Sequence, residues 1–291
     1  MIFKEKQNRI LSVTVKVLNN YDNYKLKDMD KEDKNMKYAA KAWKETEGAR
    51  LRNFNEQAQV DSVNGALALR PQIETIIDQI WEEGFDGIYF IGIGGTYASS
   101  MQVEVYMRGR SKLPIYVENA AEFLTTGNKR FTEKSVVIYS SVSGNTKEMV
   151  QLVDRVHEIG ARVFAFIDTP NSILTQPDKQ DYLILYPMNE QLTFYMTANY
   201  LMYKNGEFDE YDRYNKEMET YLAEALVQVE KDSDEWAYEY AKNKVAFLKE
   251  HKDLPHYFIG SGNQYGATYS YAMCYWEEQM WIRTKSISCQ E

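Results

Sequence analysis

Residues 135–149, SVVIYSSVSGNTKEM, constrain the fold of this chain more than any other stretch. Ser135-Val136-Val137-Ile138-Tyr139 is a short apolar, β-branched run bounded by polar residues, as expected of a strand buried on both faces of a parallel sheet. The run breaks into Ser140-Ser141-Val142-Ser143-Gly144-Asn145-Thr146, and an amphipathic helix is predicted from Thr146, with Met149, Val150, Val153 and Val156 on one face. A strand that enters a helix through such a turn can cradle an anion: the helix start offers unpaired N–H groups and partial positive charge, and small hydroxyl residues add donors without filling the space. Thr146 ahead of Glu148 could equally be an ordinary N-cap. Four hydroxyls and a glycine within seven residues are more than a cap requires.

Such an anion would meet an acidic protein. The formal net charge is −9 and the pI about 5.1, which argues against a nucleic-acid partner and means that a phosphate would be held locally, by backbone N–H groups and hydroxyls. No apolar run is long enough to span a membrane, and the start MIFKEKQNRI lacks the apolar centre of a signal peptide, so a cytoplasmic location is expected. The two cysteines, Cys274 and Cys289, show no ligand spacing and no disulfide framework; no metal is expected, and Cys274 reads as a core residue. With 291 residues, 44% of them hydrophobic, one large domain or two of ordinary size are possible.

In chain order, residues 1–52 form a charged N-terminal extension, with a short apolar run at 10–15 and a mixed-charge stretch at 27–37. A first α/β domain is expected over residues 53–210. Its first clear helix follows Pro71, carries Ile73, Ile76, Ile77, Ile80 and Trp81 on one face, and ends at Gly84. Strands are predicted at 87–91, 114–117, 135–139, 163–167 and 182–186, alternating with helices, which implies a parallel sheet flanked by helices on both faces. Helices are expected at 190–205 and 210–250. A second, C-terminally incomplete domain of the same kind is expected over residues 211–291.

The evidence for duplication is a repeat. Tyr89-Phe90-Ile91-Gly92-Ile93-Gly94-Gly95-Thr96-Tyr97 and Tyr257-Phe258-Ile259-Gly260-Ser261-Gly262-Asn263-Gln264-Tyr265 share six of nine residues at an offset of 168. In the first copy Gly94 and Gly95 permit a tight turn and Thr96 supplies a hydroxyl at a helix start. The turn lacks the third glycine of a dinucleotide fingerprint, and no acidic residue follows in the required context. Both hydroxyl turns would lie at the carboxyl ends of strands, where open α/β sheets bind ligands.

The motifs GGTYASS (94–100), SSVSGNTKEMV (140–150) and SGNQYGATYSYAMCYWEEQMWI (261–282) resemble the sugar isomerase (SIS) family of phosphosugar-binding proteins. The first two mark a SIS domain. The third is similar, more narrowly, to the fructosamine-6-phosphate deglycases, of the fructoselysine-6-phosphate type. The resemblance spans about residues 53–291 and implies an αβα sandwich of SIS type, a cofactor-free enzyme, a phosphorylated sugar or sugar-amine substrate and a homodimer. It places Thr96, Ser141, Ser143 and Thr146 among the family's phosphate-binding hydroxyls, with Gly94, Gly95, Gly144 and Asn145 shaping the turns.

The resemblance also implies that Glu278 is the catalytic glutamate. Taken alone, Glu278 is one of two adjacent carboxylates on an amphipathic helix, a pattern ordinarily met on solvated faces. The implied chemistry moves a proton between C1 and C2 of a ketosamine, and partial burial of such a carboxyl would raise its pKa towards working pH. The family's histidine would fall in a His-Gly motif beyond Glu291, and Gln290 stands where relatives carry glycine; His157 reads as a helix-surface residue, and His251 and His256 as flanking a helix–strand junction. An aldose–ketose phosphosugar isomerase and a non-catalytic sugar-phosphate sensor are the alternatives.

Overall fold

Five apolar runs pair side by side into one sheet. The computed structural model describes residues 54–251 and 254–289, so the extension at 1–52 and the readings at Gln290 and Glu291 lie outside the described residues. The strands are β1 (Gly87–Gly92), β2 (Ile115–Asn119), β3 (Ser135–Ser141), β4 (Arg162–Ile167) and β5 (Tyr182–Leu185). All are parallel, in the order β2-β1-β3-β4-β5. Every residue of β1 and of β3 is buried, which explains why these strands read as unbroken apolar runs.

Because side chains alternate across a strand, the sheet divides its core between two faces. On one face Ile88, Phe90, Val136, Ile138, Phe164 and Phe166 pack with Ile73, Ile77 and Ile80 of α2 (Arg70–Glu83) and with Phe194 of α6 (Glu190–Lys204). This face also takes α1 (Glu56–Leu67) and α3 (Gly95–Arg108), through Val63 and Val103. On the other, Tyr89, Ile91, Val137, Tyr139, Ala165 and Ile167 pack with Phe123 of α4 (Ala120–Thr126) and with Met149, Leu152, Val153 and Val156 of α5 (Lys147–Ile159). This is the expected parallel sheet with helices on both faces. The buried stripe of α5 includes Leu152, while Val150 is only half-buried.

The 40-residue helix α7 (Tyr211–Glu250) begins within the first core, where Tyr211 and Ala223 are buried, and Arg70 of α2 bridges to Glu219 on it. At about 1.5 Å per residue it is roughly 60 Å long and carries the chain to a second, smaller sheet. That sheet consists of β6 (His256–Gly260) and β7 (Thr284–Ser288), again parallel. Between them α8 (Gln264–Ser270) continues into a π-helical segment, Tyr271–Glu277. The helical stretch ends at Glu277, its last turns wound with i→i+5 bonds such as Glu278 N–H to the Met273 carbonyl (3.0 Å). The repeat holds at the backbone level: Gly94 and Gly262, 168 residues apart, both adopt left-handed φ, +58° and +55°.

Candidate phosphate-binding crevice

The chain leaves β1 towards β2 on one side and returns to β3 on the other. The carboxyl ends of β1 and β3 therefore flank the topological switch point, where a crevice opens between diverging loops. The hydroxyl turns follow these two strands.

After β1, Gly94 takes φ +58° and leads into α3 with no side chain capping the helix. Gly92 is fixed by contact, since a Cβ there would lie 2.6 Å from the Tyr97 nitrogen. The Thr96 hydroxyl is turned onto its own loop: it accepts from the Ile93 N–H (3.1 Å) and donates to the Ile93 carbonyl (3.0 Å). Thr96 therefore shapes the turn, and its proton is committed to the backbone.

After β3, buried Ser141 accepts from the Gly144 N–H at 3.1 Å. Gly144 takes φ +60°, and a Cβ there would lie 2.0 Å from the Ser172 hydroxyl, so glycine is required twice over. Asn145 pins the turn, accepting from the Ile173 N–H at 2.9 Å while its amide donates to the Ser143 carbonyl at 3.0 Å. The hydroxyls of Ser143 and Thr146 lie 3.4 Å apart at the start of α5, which has no side-chain cap. The N-cap reading of Thr146 thus gives way: it occupies the cap position, but its side chain caps nothing. Two adjacent hydroxyls, exposed or half-exposed, at an uncapped helix start form a donor cluster suited to an anion. Ser172, buried against Gly144, has a hydroxyl with no hydrogen-bond partner among the described residues.

The crevice also holds a carboxyl that sequence reasoning passed over. Glu190, the first residue of α6, is half-buried as a residue, but its carboxyl is desolvated and hydrogen-bonded to the hydroxyls of Ser99 on α3 and Ser140 on β3. Burial pushes this carboxyl above the usual glutamate range, and Asp168 at the end of β4 adds to the shift. Asp168 is itself pushed up by burial. In the sequence, Glu190 was indistinguishable from an acidic residue in the first turn of a helix, and only the packing of α6 on α3 sets it apart.

Glu278 stands apart from this cluster. It is exposed beyond the end of the π-helical segment, contrary to the partial burial expected of it, because that segment stops at Glu277 and the chain turns outward. The segment itself borders the first turn: the Cys274 sulfur lies 4.0 Å from where a Cβ on Gly95 would sit. Cys274 is half-buried, its thiol pushed up by burial and by nearby Glu278. Glu277 accepts from the Thr284 hydroxyl at 2.7 Å. His157 is paired with Asp181 at 3.1 Å, while His256 is buried with Nδ1 2.9 Å from the Lys244 amine. Among the described residues no His, Cys, Asp and Glu side chains group to hold a metal, and no helix is long and apolar enough to cross a membrane.

Comparison with known proteins finds likeness at the level of family and fold. Residues 85–204 match the SIS domain family, a span that contains both turns and Glu190 but not Glu278. The chain is 26% identical over 224 residues to the fructosamine deglycase FrlB of Bacillus subtilis, covering 76% of this chain and 67% of that protein. It is 27% identical over 135 residues to a glutamine–fructose-6-phosphate aminotransferase [isomerizing] of Bacillus cereus, covering 46% of this chain but 21% of the aminotransferase. Among solved structures, the C-terminal domain of glucosamine-fructose-6-phosphate aminotransferase from Francisella tularensis superposes with a TM-score of 0.64 at 17% identity, covering 81% of this chain and 69% of that one. A Salmonella typhimurium protein described as a candidate phosphosugar isomerase superposes at 0.61 with 23% identity, covering 75% and 67%. These two structures share the fold.

Proposed function

We propose that the crevice between β1 and β3 binds the phosphate of an open-chain sugar phosphate and that the protein is a deglycase of fructosamine 6-phosphates; the match of residues 85–204 to the SIS domain family supports this reading. One observation carries the binding half of this reading: the Ser143 and Thr146 hydroxyls, 3.4 Å apart, stand at the uncapped start of α5, after the strand that pairs with β1. Ser141, Gly144 and Asn145 hold that turn open, and Thr96, Gly94 and Gly95 shape its neighbour. Ser143 and Thr146 donate to phosphate oxygens together with the first N–H groups of α5, so an acidic protein can take an anion without a cationic side chain.

The deglycase half rests on the likeness to fructosamine deglycase FrlB and on the position of Glu278. In this scheme a carboxylate removes a proton from C1 of the ketosamine, the electron pair forms the C1–C2 double bond, and the C2 carbonyl takes up a proton to give the enaminol. Return of a proton to C2 moves the unsaturation to C1 as an imine. Water adds at C1 and the C1–N bond breaks, releasing the amine and glucose 6-phosphate; no oxidant or reductant is consumed. Glu278 is the proposed proton carrier, and its adjacency to the first turn through Cys274 supports it. A phosphorylated substrate and two free cysteines suit a cytoplasmic enzyme.

We also propose a homodimer. Trp236 and Tyr240 on α7, stacked with ring centroids 5.3 Å apart, and Ile259 on β6 are exposed apolar side chains that a second protomer would cover. An aldose–ketose isomerase would use the same C1–C2 proton transfer and stop before hydrolysis, and the likeness to an isomerizing aminotransferase keeps it as the second reading. Calorimetric titration of glucose 6-phosphate into the wild type and Ser143→Ala tests the binding half. Binding weaker by about 10- to 150-fold in the variant is expected, since a hydrogen bond to a charged group contributes about 1.5–3 kcal/mol; equal affinity overturns the reading.

A further inference from the structure

Near the end of α7, half-buried Lys244 is bonded to no carboxylate among the described residues; its partner is a histidine. The amine lies 2.9 Å from Nδ1 of His256, the first residue of β6. It also stands 5.4 Å from the ring centre of Trp276 in the π-helical segment and 5.3 Å from that of Phe247. An ammonium group only donates, so Nδ1 accepts and His256 is the neutral tautomer protonated on Nε2. That Nε2 is buried with no hydrogen-bond partner among the described residues, and His256 as a whole is 6% exposed. Trp276, itself buried, packs on the His256 ring at 5.4 Å and on Phe258 at 5.2 Å. One contact thus joins α7, β6 and the segment that carries Cys274 and leads to Glu278.

We propose that the Lys244–His256 hydrogen bond is a pH-sensitive latch: it holds the end of α7 on the small sheet and braces the π-helical segment while His256 is neutral, and it opens when His256 takes up a proton. Protonation puts a hydrogen on Nδ1, so the acceptor is lost, and it sets two cations 2.9 Å apart where little water reaches to screen them. The surroundings of the ring do not offset that charge. From β7 they are Thr284, the strand partner of His256, and the Arg283 carbonyl, which accepts from the His256 N–H at 2.9 Å; the Arg283 side chain is an exposed cation. From the π-helical segment they are Trp276, Tyr271 packed on Trp276 and neutral throughout this range, and Glu277. Glu277 is an anion, but it is exposed and accepts from the Thr284 hydroxyl at 2.7 Å, so water screens it from the buried ring. From α7, exposed His251 stacks on Phe247 beside Lys244 and adds positive charge in acid. Burial and the Lys244 charge hold the His256 ring below the ordinary histidine range, in agreement with this geometry. The latch is independent of the phosphate-binding reading; its effect on turnover rests on Glu278 as the proton carrier.

Two measurements between about pH 8 and about pH 5 decide it: NMR titration of the ring protons of the 3 histidines, and backbone amide exchange of residues 241–250 and 271–277, corrected for intrinsic rate. The proteins are the wild type, Lys244→Gln, which keeps a donor without the charge, and His256→Asn, which keeps an acceptor in place of Nδ1 and identifies the His256 resonance. In the wild type His256 should titrate below the value of about 6.5 for a free histidine. Opening of both segments should rise by up to about tenfold per pH unit as His256 charges, the slope of one bound proton. In Lys244→Gln the His256 midpoint should move up and exchange should lose that slope; in His256→Asn the slope should vanish. Wild-type protection that stays constant across the range overturns the latch, whether or not either variant folds. So does a His256 midpoint in Lys244→Gln equal to that of the wild type. Where exchange behaves as expected, turnover of fructoselysine 6-phosphate should fall with the same midpoint. Turnover indifferent to an opening seen by exchange supports the latch and overturns the role of Glu278 instead.

Discussion

Ala98 and Gly266 hold equivalent places in the repeat, 168 residues apart, and they are also where the two copies touch. A Cβ on Gly266 would lie 2.4 Å from the Ala98 carbonyl oxygen and 2.7 Å from Cγ of Gln102, so α3 and α8 cross backbone to backbone. Two copies of one motif meeting at the same position is the signature of a pseudo-twofold arrangement. It brings the second glycine turn and the π-helical segment alongside the first turn, with Tyr97 and Tyr269 edge-on at 6.4 Å.

Gly266→Ala should therefore act as an overpacking substitution. Neither neighbour is the free end of a flexible chain, so the helices must separate, at a cost of about 1–3 kcal/mol. Urea denaturation followed by circular dichroism measures this. A midpoint equal to that of the wild type would show that the crossing is looser than its geometry implies.

Gly144→Ala is expected to act on both stability and ligand. The residue needs φ +60°, and the new methyl group would collide with the Ser172 hydroxyl. Strain of this kind costs about 1–3 kcal/mol, and the Ser143–Thr146 pair would be displaced with the turn. Glucose 6-phosphate affinity should fall along with the melting temperature. Gly109→Ala, with open space at its Cβ and φ of −88°, is the control and should change neither.

The pH dependence of stability follows from Glu190. Its carboxyl is held above the ordinary range in the fold, so the folded state binds more protons than the unfolded state between the two pKa values. Stability from this group is complete below the unfolded value, about 4.3, and is lost as pH rises through the folded one. Glu190→Gln carries no such penalty. Its stability relative to the wild type should grow from acid to alkaline pH, measured by denaturant melts across that range. A constant difference would show that Glu190 titrates alike in both states.

How much of this could be read in advance depended on whether the cause was local. β1 and β3 were legible because strands buried on both faces must be apolar throughout, and α5 because its buried side repeats with helical period. β7 was not: Thr284-Lys285-Ser286-Ile287-Ser288 has one large apolar residue, and it is a strand because β6 offers it an edge. α4 is held by a cap, Asn119 accepting from the Ala121 and Glu122 N–H groups, and is too short to show a period. In the site, the hydroxyl turns were legible because small residues cluster along the chain. Glu190 was not, because its environment comes from Ser99 and Ser140 on two other elements.

The last prediction separates the two carboxyls by what each should change. Glu278 is exposed and outside the crevice's hydrogen bonds, so Glu278→Gln should leave the affinity for glucose 6-phosphate within about twofold of the wild type. If it carries the proton between C1 and C2, the same substitution should lower turnover of fructoselysine 6-phosphate by about 100- to 10,000-fold, read as glucose 6-phosphate release coupled to a dehydrogenase. Glu190→Gln should show the reverse weighting: turnover near that of the wild type, with the change confined to the pH dependence of stability. Should Glu278→Gln turn over as fast as its parent while Glu190→Gln is inactive at every pH, the assignments would exchange. The buried carboxyl would then be the proton carrier, and the charge at the end of the π-helical segment would be an ordinary solvated one.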